Sequence, residues 1–202
     1  MLSKYLLVAG APGSKWSSVV KNIYWSEDLD KSDYNPLTRS YYHDAEGTGT
    51  PQLMHSGAYF DPMMEFGPER SEWDKPFSGN KTRLIKSHVF CEQLEELAKL
   101  EHSMVLVYRN DDACIDWWLK CGGFDITYPK YDYYENVEKM KEHICSQNKG
   151  IQDFISKHKC IEVFNNVELC SALAMRFPLM GTLHDYREKD IQVYVYKQLG
   201  FG

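Results

Sequence analysis

The fold is decided by residues 5–17, which read Tyr5-Leu6-Leu7-Val8-Ala9-Gly10-Ala11-Pro12-Gly13-Ser14-Lys15-Trp16-Ser17. The apolar run at 5–9 has the length and composition of a buried parallel strand, and turn residues follow it directly. Apolar residues then recur at helical spacing over 14–25, so a helix is expected there. A strand, a glycine turn and a helix in this order indicate an α/β fold. The turn would present backbone N–H groups to an anion at the start of the helix.

Strands and helices continue to alternate after residue 80. Short apolar runs predict strands at 82–86, 104–108 and 160–164. Helical spacing predicts helices at 92–100, 111–121, 135–157, 165–175 and 190–199, with a break near Gly150 as an alternative for the third. Such alternation implies right-handed crossovers and a parallel sheet covered on both faces. We therefore predict an α/β three-layer sandwich with a central parallel sheet.

Residues 26–80 interrupt this pattern, because they are rich in Asp, Gly, Pro, Ser, Tyr and His and contain no confident long element. An unstructured stretch of this length would be unusual in a compact domain. We interpret it as a functional insertion within a single domain spanning 1–202, and its aromatic side chains favour a partly apolar binding pocket. The alternative is a local core beneath a long loop. The candidate pocket residues are Tyr41, His43, His55, Tyr59, Phe60 and Phe66.

Composition excludes several classes of function. The 202 residues carry a net charge of −6, which argues against non-specific binding to DNA or RNA. No apolar run approaches the roughly 20 residues that a membrane helix needs, and the N-terminus lacks the features of a signal peptide. The six cysteines form no C-x-x-C pair, so we expect reduced thiols and a cytoplasmic protein.

Two further strand ends carry side chains suited to phosphate chemistry. Lys86-Ser87-His88 ends one predicted strand, and Arg109-Asn110 follows the next. An imidazole titrates near neutral pH and can act as a general base, whereas an arginine can bind phosphate bidentately. Taken singly, a structural histidine and a surface ion pair are the ordinary alternatives. Because ligands of parallel sheets bind at the carboxyl ends of strands, both segments are expected beside the glycine turn.

Together the three segments resemble the motifs of the sulfotransferases that use 3′-phosphoadenosine 5′-phosphosulfate. That family's phosphosulfate loop runs roughly P-[KR]-S-G-T-T-[WL] after the first strand, where this chain has residues 12–17. The family's K-T-H corresponds to residues 86–88. Its apolar strand followed by R-N-P corresponds to residues 105–110. The resemblance covers about 4–25 and 82–120.

This resemblance implies a P-loop NTPase-like sulfotransferase architecture and a reaction without a metal. His88 would be the general base that takes the proton of a hydroxyl or amine on a small acceptor. Lys86 and Lys15 would stabilise the transferring group, and the insertion would form the acceptor pocket. The implied nucleotide contacts are Gly10, Ala11, Pro12, Gly13, Ser14, Lys15, Trp16, Ser17, Arg109, Asn110 and Trp117.

Three departures from the family pattern keep alternatives open. Gly13 stands where the loop usually has a basic residue, and Lys15 follows two positions later. Trp117 stands where the 3′-phosphate motif has a serine, and the family's late R-K-G segment is not recognisable. One alternative is a P-loop kinase of nucleotides or small molecules, although no predicted strand ends in the aspartate that would hold Mg²⁺. The other is a non-catalytic nucleotide-binding module. His43 and His55 lack the spacing of metal ligands, so no metal is expected.

Overall fold

The structure, a computed structural model, describes residues 3–33, 41–42, 52–53, 73–120, 136–176 and 190–197. The strands in these ranges are β1 (Tyr5–Gly10), β2 (Tyr41–Tyr42), β3 (Gln52–Leu53), β4 (Arg83–Lys86), β5 (Ser103–Arg109), β6 (Cys160–Val163) and β7 (Ile191–Tyr196). The helices are α1 (Trp16–Tyr24), α2 (Leu94–Ala98), α3 (Asp111–Lys120), α4 (Val137–Lys157) and α5 (Asn166–Leu173). A short 3₁₀ helix, Val89–Glu92, lies between β4 and α2, and we call it the 3₁₀ turn.

Five of the strands form one open sheet in the order β4-β1-β5-β7-β6. Both β4 and β5 run parallel to the central strand β1. In contrast, β7 runs antiparallel to its neighbours β5 and β6. The fold is therefore mixed α/β, with four sheet strands in one direction and β7 in the other.

The prediction of a helix at 190–199 is wrong, because β7 occupies most of this segment. The prediction of a parallel sheet is wrong at β7, which runs antiparallel to both of its neighbours. Ile191, Val193 and Val195 are buried and alternate with more exposed residues, which is the period of a strand. Tyr194 and Tyr196 pack on the opposite face of the sheet. Ile191 and Val195 also fit helical spacing, so the apolar pattern of this short segment suits either structure.

Helices cover both faces of the sheet, as the alternating pattern predicts. On one face, apolar residues of α1 and α5, such as Val20 and Leu169, pack against Leu6 and Val8 of β1. On the other face, Leu97 of α2 and residues of α4 join the core that contains Leu7. Because successive side chains of β1 alternate between these two cores, the strand is buried along its whole length.

Helix α4 runs without a break through Gly150, so the alternative of two helices is wrong. Asn136 caps its start by accepting a hydrogen bond from the Lys139 N–H. A Cβ atom at Gly150 would lie 2.3 Å from the Cys91 carbonyl oxygen, so glycine permits close packing of α4 on the 3₁₀ turn. The helix expected at 92–100 is correspondingly shorter, because the 3₁₀ turn precedes α2.

The insertion leaves and rejoins the sheet beside β4. Leu29 forms a parallel bridge with Thr82, and the Asp30 N–H donates to the Thr82 carbonyl at 2.8 Å. Within it, β2 and β3 pair in antiparallel fashion. Only the strand backbone of Tyr41 is described. The other candidate pocket residues lie outside the described residues, and they are His43, His55, Tyr59, Phe60 and Phe66. None of the helices in the described ranges has both the length and the apolar content needed to cross a bilayer.

Candidate functional site

The three motif-bearing strand ends lie side by side, as expected from the sequence. Lys86 pairs with Val8, and Val107 pairs with Gly10. The Ser87 N–H continues the ladder by donating to the Val8 carbonyl at 3.1 Å. Because β1 lies between β4 and β5, the glycine loop at its end has residues 86–88 on one side and Arg109 on the other.

Two glycines shape the loop after β1. A Cβ atom at Gly10 would lie 2.6 Å from Cβ of Trp16, so only glycine lets α1 begin this close to the strand. Gly13 has φ +80°, and a Cβ atom there would lie 2.0 Å from the Cys114 carbonyl oxygen. The loop therefore packs against the backbone of α3, and the Ser14 N–H closes it by donating to the Ala11 carbonyl at 3.0 Å. Any larger residue at position 13 would therefore require α3 to move.

Lys15 and Trp117 contact each other beside the loop. Lys15 has left-handed backbone angles, φ 61° and ψ 21°, and occupies the position before the first residue of α1. Its Nζ lies 3.9 Å from the centroid of the Trp117 ring, within the range of a cation–π interaction. The ammonium of Lys15 thus lies at the loop, supported by the Trp117 ring.

The segment 86–88 is buried beside this loop. Lys86 is 7% exposed and His88 is 5% exposed. Lys86 Nζ lies 5.7 Å from the Trp16 ring centroid, so an aromatic face accompanies the buried ammonium. Ser87 Oγ accepts a hydrogen bond from the Val89 N–H at 3.2 Å, and His88 immediately precedes the 3₁₀ turn. The local chain thus holds Lys86 and His88 close to the site.

Arg109 fastens the loop to α3. Its Nη1 donates to the Gly13 carbonyl at 3.2 Å and to the Ala113 carbonyl at 3.1 Å. Its Nε is buried and has no hydrogen-bond partner among the described residues. The neighbouring Asn110 caps the start of α3, because its Oδ1 accepts a hydrogen bond from the Asp112 N–H at 3.0 Å. Arg109 therefore has a structural role in addition to any contact with a phosphate.

The sequence pattern did not identify four polar residues that border the site, namely Glu92, His143, Gln147 and Asn148. Gln147 Nε2 donates to Glu92 Oε1 at 2.9 Å, and His143 Nδ1 lies 3.8 Å from the same oxygen. Asn148 Nδ2 donates to the Arg109 carbonyl at 2.8 Å. The available signal was the apolar stripe of α4, since Gln147 and Asn148 fall on its buried face between Ile144 and Ile151.

Burial lowers the pKa of His143 below its ordinary value. The carboxylate of Glu92 acts in the opposite direction, and positive charge on His88 lowers the pKa of His143 further. The hydrogen bond from Asn148 to the Arg109 carbonyl places α4 at the edge of the site, although no motif pointed to it.

The structure thus brings together the glycine loop, Lys86, His88, Arg109 and Trp117. Ala11 and Pro12 are buried within the loop, and the side chain of Ser17 lies outside the described residues. Among the residues that the structure describes, no three His, Cys, Asp or Glu side chains are grouped to hold a metal ion. Comparisons with protein-family models, with curated proteins and with solved structures found no match to this chain.

Proposed function

We propose that the protein transfers a sulfuryl group from 3′-phosphoadenosine 5′-phosphosulfate to a hydroxyl or amine of a small, partly apolar acceptor. The observation that carries the proposal is the adjacency of the buried Lys86 and His88 to the glycine loop, fixed by the pairing of Lys86 with Val8. A cation, a base and an anion-binding turn then share one sheet edge, within an architecture that we propose is P-loop-like.

In the proposed reaction, His88 takes the proton of the acceptor hydroxyl or amine. The acceptor atom forms a bond to sulfur while the bond between sulfur and the bridging oxygen breaks. The electron pair of that bond leaves with adenosine 3′,5′-bisphosphate. Lys86 and Lys15 would stabilise the negative charge that develops on the transferring group and the bridging oxygen. Cationic side chains thus supply the electrostatic stabilisation in this scheme.

Two buried hydrogen-bond donors support the presence of an anion at the loop. Neither Ser14 Oγ nor Arg109 Nε has a hydrogen-bond partner among the described residues, and both are buried. A buried polar group without a partner is costly, so such groups call for a ligand or an ordered water. The first turn of α1 carries no acidic residue that would repel an anion.

A second candidate is a nucleotide-binding module without catalysis. This candidate is favoured because Arg109 and Lys15 already have partners within the protein. Arg109 donates to the Gly13 and Ala113 carbonyls, and the ammonium of Lys15 lies over the Trp117 ring. A kinase has less support. No sheet strand in the described ranges ends in an aspartate, and Asp111 beyond β5 accepts a hydrogen bond from Asn148.

The proposal is tested with 3′-phosphoadenosine 5′-phosphosulfate labelled at sulfur and a panel of phenols, aliphatic alcohols and amines, without added metal. We expect label to pass to at least one acceptor class and adenosine 3′,5′-bisphosphate to appear in equal amount. Binding of the bisphosphate without transfer to any acceptor would favour the non-catalytic module. Phosphoryl transfer from ATP with Mg²⁺ in the same panel would favour the kinase.

A further inference from the structure

The guanidinium of Arg109 contacts backbone carbonyls and no carboxylate in the described part of the chain. Its Nη1 donates to the Gly13 and Ala113 carbonyls, and its buried Nε has no hydrogen-bond partner among the described residues. Carbonyl oxygens accept hydrogen bonds, but they do not neutralise a positive charge. The charge of Arg109 therefore remains available to an anion at the end of β5.

Asp111 carries the carboxylate that is closest to Arg109 in the sequence. An ion pair between the two side chains would compete with a phosphate for the guanidinium. The carboxylate has a different partner, because Asp111 Oδ1 accepts a hydrogen bond from Asn148 Nδ2 at 2.6 Å. Within the ranges that the structure describes, no ion pair joins Asp111 to Arg109.

The side-chain amide of Asn148 joins both residues to α4. Asn148 is 1% exposed, and its Nδ2 donates to the Arg109 carbonyl at 2.8 Å as well as to Asp111 Oδ1. The nitrogen has two hydrogens, so each acceptor can receive one. The reverse orientation of the amide would place its oxygen against two other oxygens, so the contacts define which end faces Arg109 and Asp111. The amide thus holds the end of β5 and the Asp111 carboxylate together.

We propose that Asn148 is a positioning residue, which keeps Arg109 available to the 3′-phosphate of the nucleotide by binding the carboxylate of Asp111. The inference rests on the proposed function, because that function supplies the 3′-phosphate. Asn148 acts through Asp111 and Arg109, and not through a contact of its own with the nucleotide. Without the amide, the Asp111 carboxylate would pair with the guanidinium in place of the phosphate.

Titration calorimetry with adenosine 3′,5′-bisphosphate and adenosine 5′-monophosphate tests this role. We expect Asn148→Ala to weaken binding of the bisphosphate by about 10-fold, because the released carboxylate competes for a charge-assisted hydrogen bond. Binding of the monophosphate should weaken much less, since this nucleotide lacks the 3′-phosphate. An equal loss for both nucleotides would show a general effect on the fold and would overturn the proposal.

Removal of the competing carboxylate should reverse the loss. In Asn148→Ala/Asp111→Asn, we expect the affinity for the bisphosphate to return to within about 2-fold of that in Asp111→Asn alone. Asp112→Asn is the matched control, because it removes an equal charge from the exposed next residue in the first turn of α3. Added to Asn148→Ala, it should leave the affinity low. Recovery with both aspartate substitutions, or with neither, would contradict the proposed competition.

The pairing can also be followed without a ligand, from the Arg109 Nε–H signal in proton–nitrogen NMR spectra. Its absence in Arg109→Lys identifies the signal. We expect it to shift in Asn148→Ala and to return towards its wild-type position in Asn148→Ala/Asp111→Asn. Asn148→Ser should give the same pattern, since a serine hydroxyl has one hydrogen for two acceptors, and it serves if Asn148→Ala does not fold. An unchanged signal in folded Asn148 variants would overturn the proposal.

The positioning role and the proposed function fail in different ways. Wild-type affinity for the bisphosphate in Asn148→Ala would overturn the role of Asn148 and leave sulfuryl transfer intact. Absence of both bisphosphate binding and sulfuryl transfer in the wild-type protein would overturn the proposed function. The role of Asn148 towards a 3′-phosphate would fail with it, even where the NMR signal shifts and returns as expected.

Discussion

At the scale of single residues, Gly13, Lys15 and Trp117 shape the loop that follows β1. Gly13 cannot carry a basic side chain, because a Cβ atom there would collide with the Cys114 carbonyl. Lys15 supplies the positive charge from two positions later, and the Trp117 ring supports its ammonium at 3.9 Å. A cation–π contact of this kind contributes about 0.5–2 kcal/mol. Lys15 and Trp117 therefore support each other beside the loop.

Substitution of His88 tests its role as the base. We expect His88→Ala to lower the sulfuryl transfer rate by about 10²-fold or more, because a positioned general base contributes that much. Bisphosphate affinity should stay within about 2-fold, since in the proposed reaction His88 contacts the acceptor and not the nucleotide. His158→Ala, one residue beyond the C-terminal end of α4, is the matched control. Near-normal transfer in His88→Ala would show that another group takes the proton.

Substitution of Arg109 separates its two roles. Arg109→Ala removes the hydrogen bonds to the Gly13 and Ala113 carbonyls, so we expect weaker binding of both adenosine 3′,5′-bisphosphate and adenosine 5′-monophosphate. The bisphosphate should lose more, because the proposed charge-assisted contact of Arg109 with its 3′-phosphate is lost as well. Titration calorimetry measures both affinities. Equal losses would limit Arg109 to a structural role.

At the scale of secondary-structure elements, the packing of α4 brings Glu92, His143 and Asn148 to the site. Gly150 makes this packing possible because α4 approaches the Cys91 carbonyl where a side chain would not fit. The sequence predicted the apolar stripe of α4, but it did not predict that this stripe packs on the 3₁₀ turn. Gly150 suggested a break in the helix, whereas in the structure it permits a close contact. Strands β1, β4 and β5 were predictable because continuous apolar runs between turn residues are typical of buried parallel strands. The short β7 also fits a helix, and only its pairing with β5 and β6 decides the structure.

The packing of α4 predicts an unusual effect of alanine at Gly150. In an open helix interior, Gly→Ala would stabilise by about 1 kcal/mol. Here we expect Gly150→Ala to lower the free energy of unfolding by about 1–3 kcal/mol, the usual range for overpacking. Urea denaturation gives the free energy, with the exposed Gln152→Ala on the same helix as control. A stabilised Gly150→Ala protein would contradict the close contact.

At the scale of the whole molecule, Asp74 joins the end of the insertion to the edge of the sheet. Its carboxylate accepts hydrogen bonds from Lys4 Nζ at 2.6 Å and the Tyr5 hydroxyl at 2.7 Å, and it pairs with Arg83. Burial raises the pKa of Asp74, but the hydrogen bonds from Lys4, Tyr5 and Arg83 outweigh it and lower the pKa to about 2. The insertion is thereby fastened beside β1 and β4, at the base of the same two strands whose other ends form the site.

This cluster predicts how stability depends on pH. Because the pKa of Asp74 is lower in the folded protein than the ordinary value of 3.8, its contribution is present above about pH 4 and is lost as pH falls towards 2. We expect the free energy of unfolding in urea to fall less steeply from pH 5 to about 2 in Asp74→Asn than in the wild type. Glu142→Gln, at an exposed position of α4, should keep the wild-type slope. If the free energy of unfolding of Asp74→Asn fell as steeply with pH as that of the wild type, Asp74 would not stabilise the fold through its ionised carboxylate.

We propose that the carboxyl ends of β1, β4 and β5 together form a site for a 3′-phosphorylated nucleotide. It is tested most directly by titration calorimetry of the wild-type protein with adenosine 3′,5′-bisphosphate, ADP and ATP, each with and without Mg²⁺. The arrangement of the glycine loop, Lys86 and Arg109 predicts selective binding of the bisphosphate that does not depend on Mg²⁺. Preference for ATP with Mg²⁺, or binding of none of the three, would contradict it.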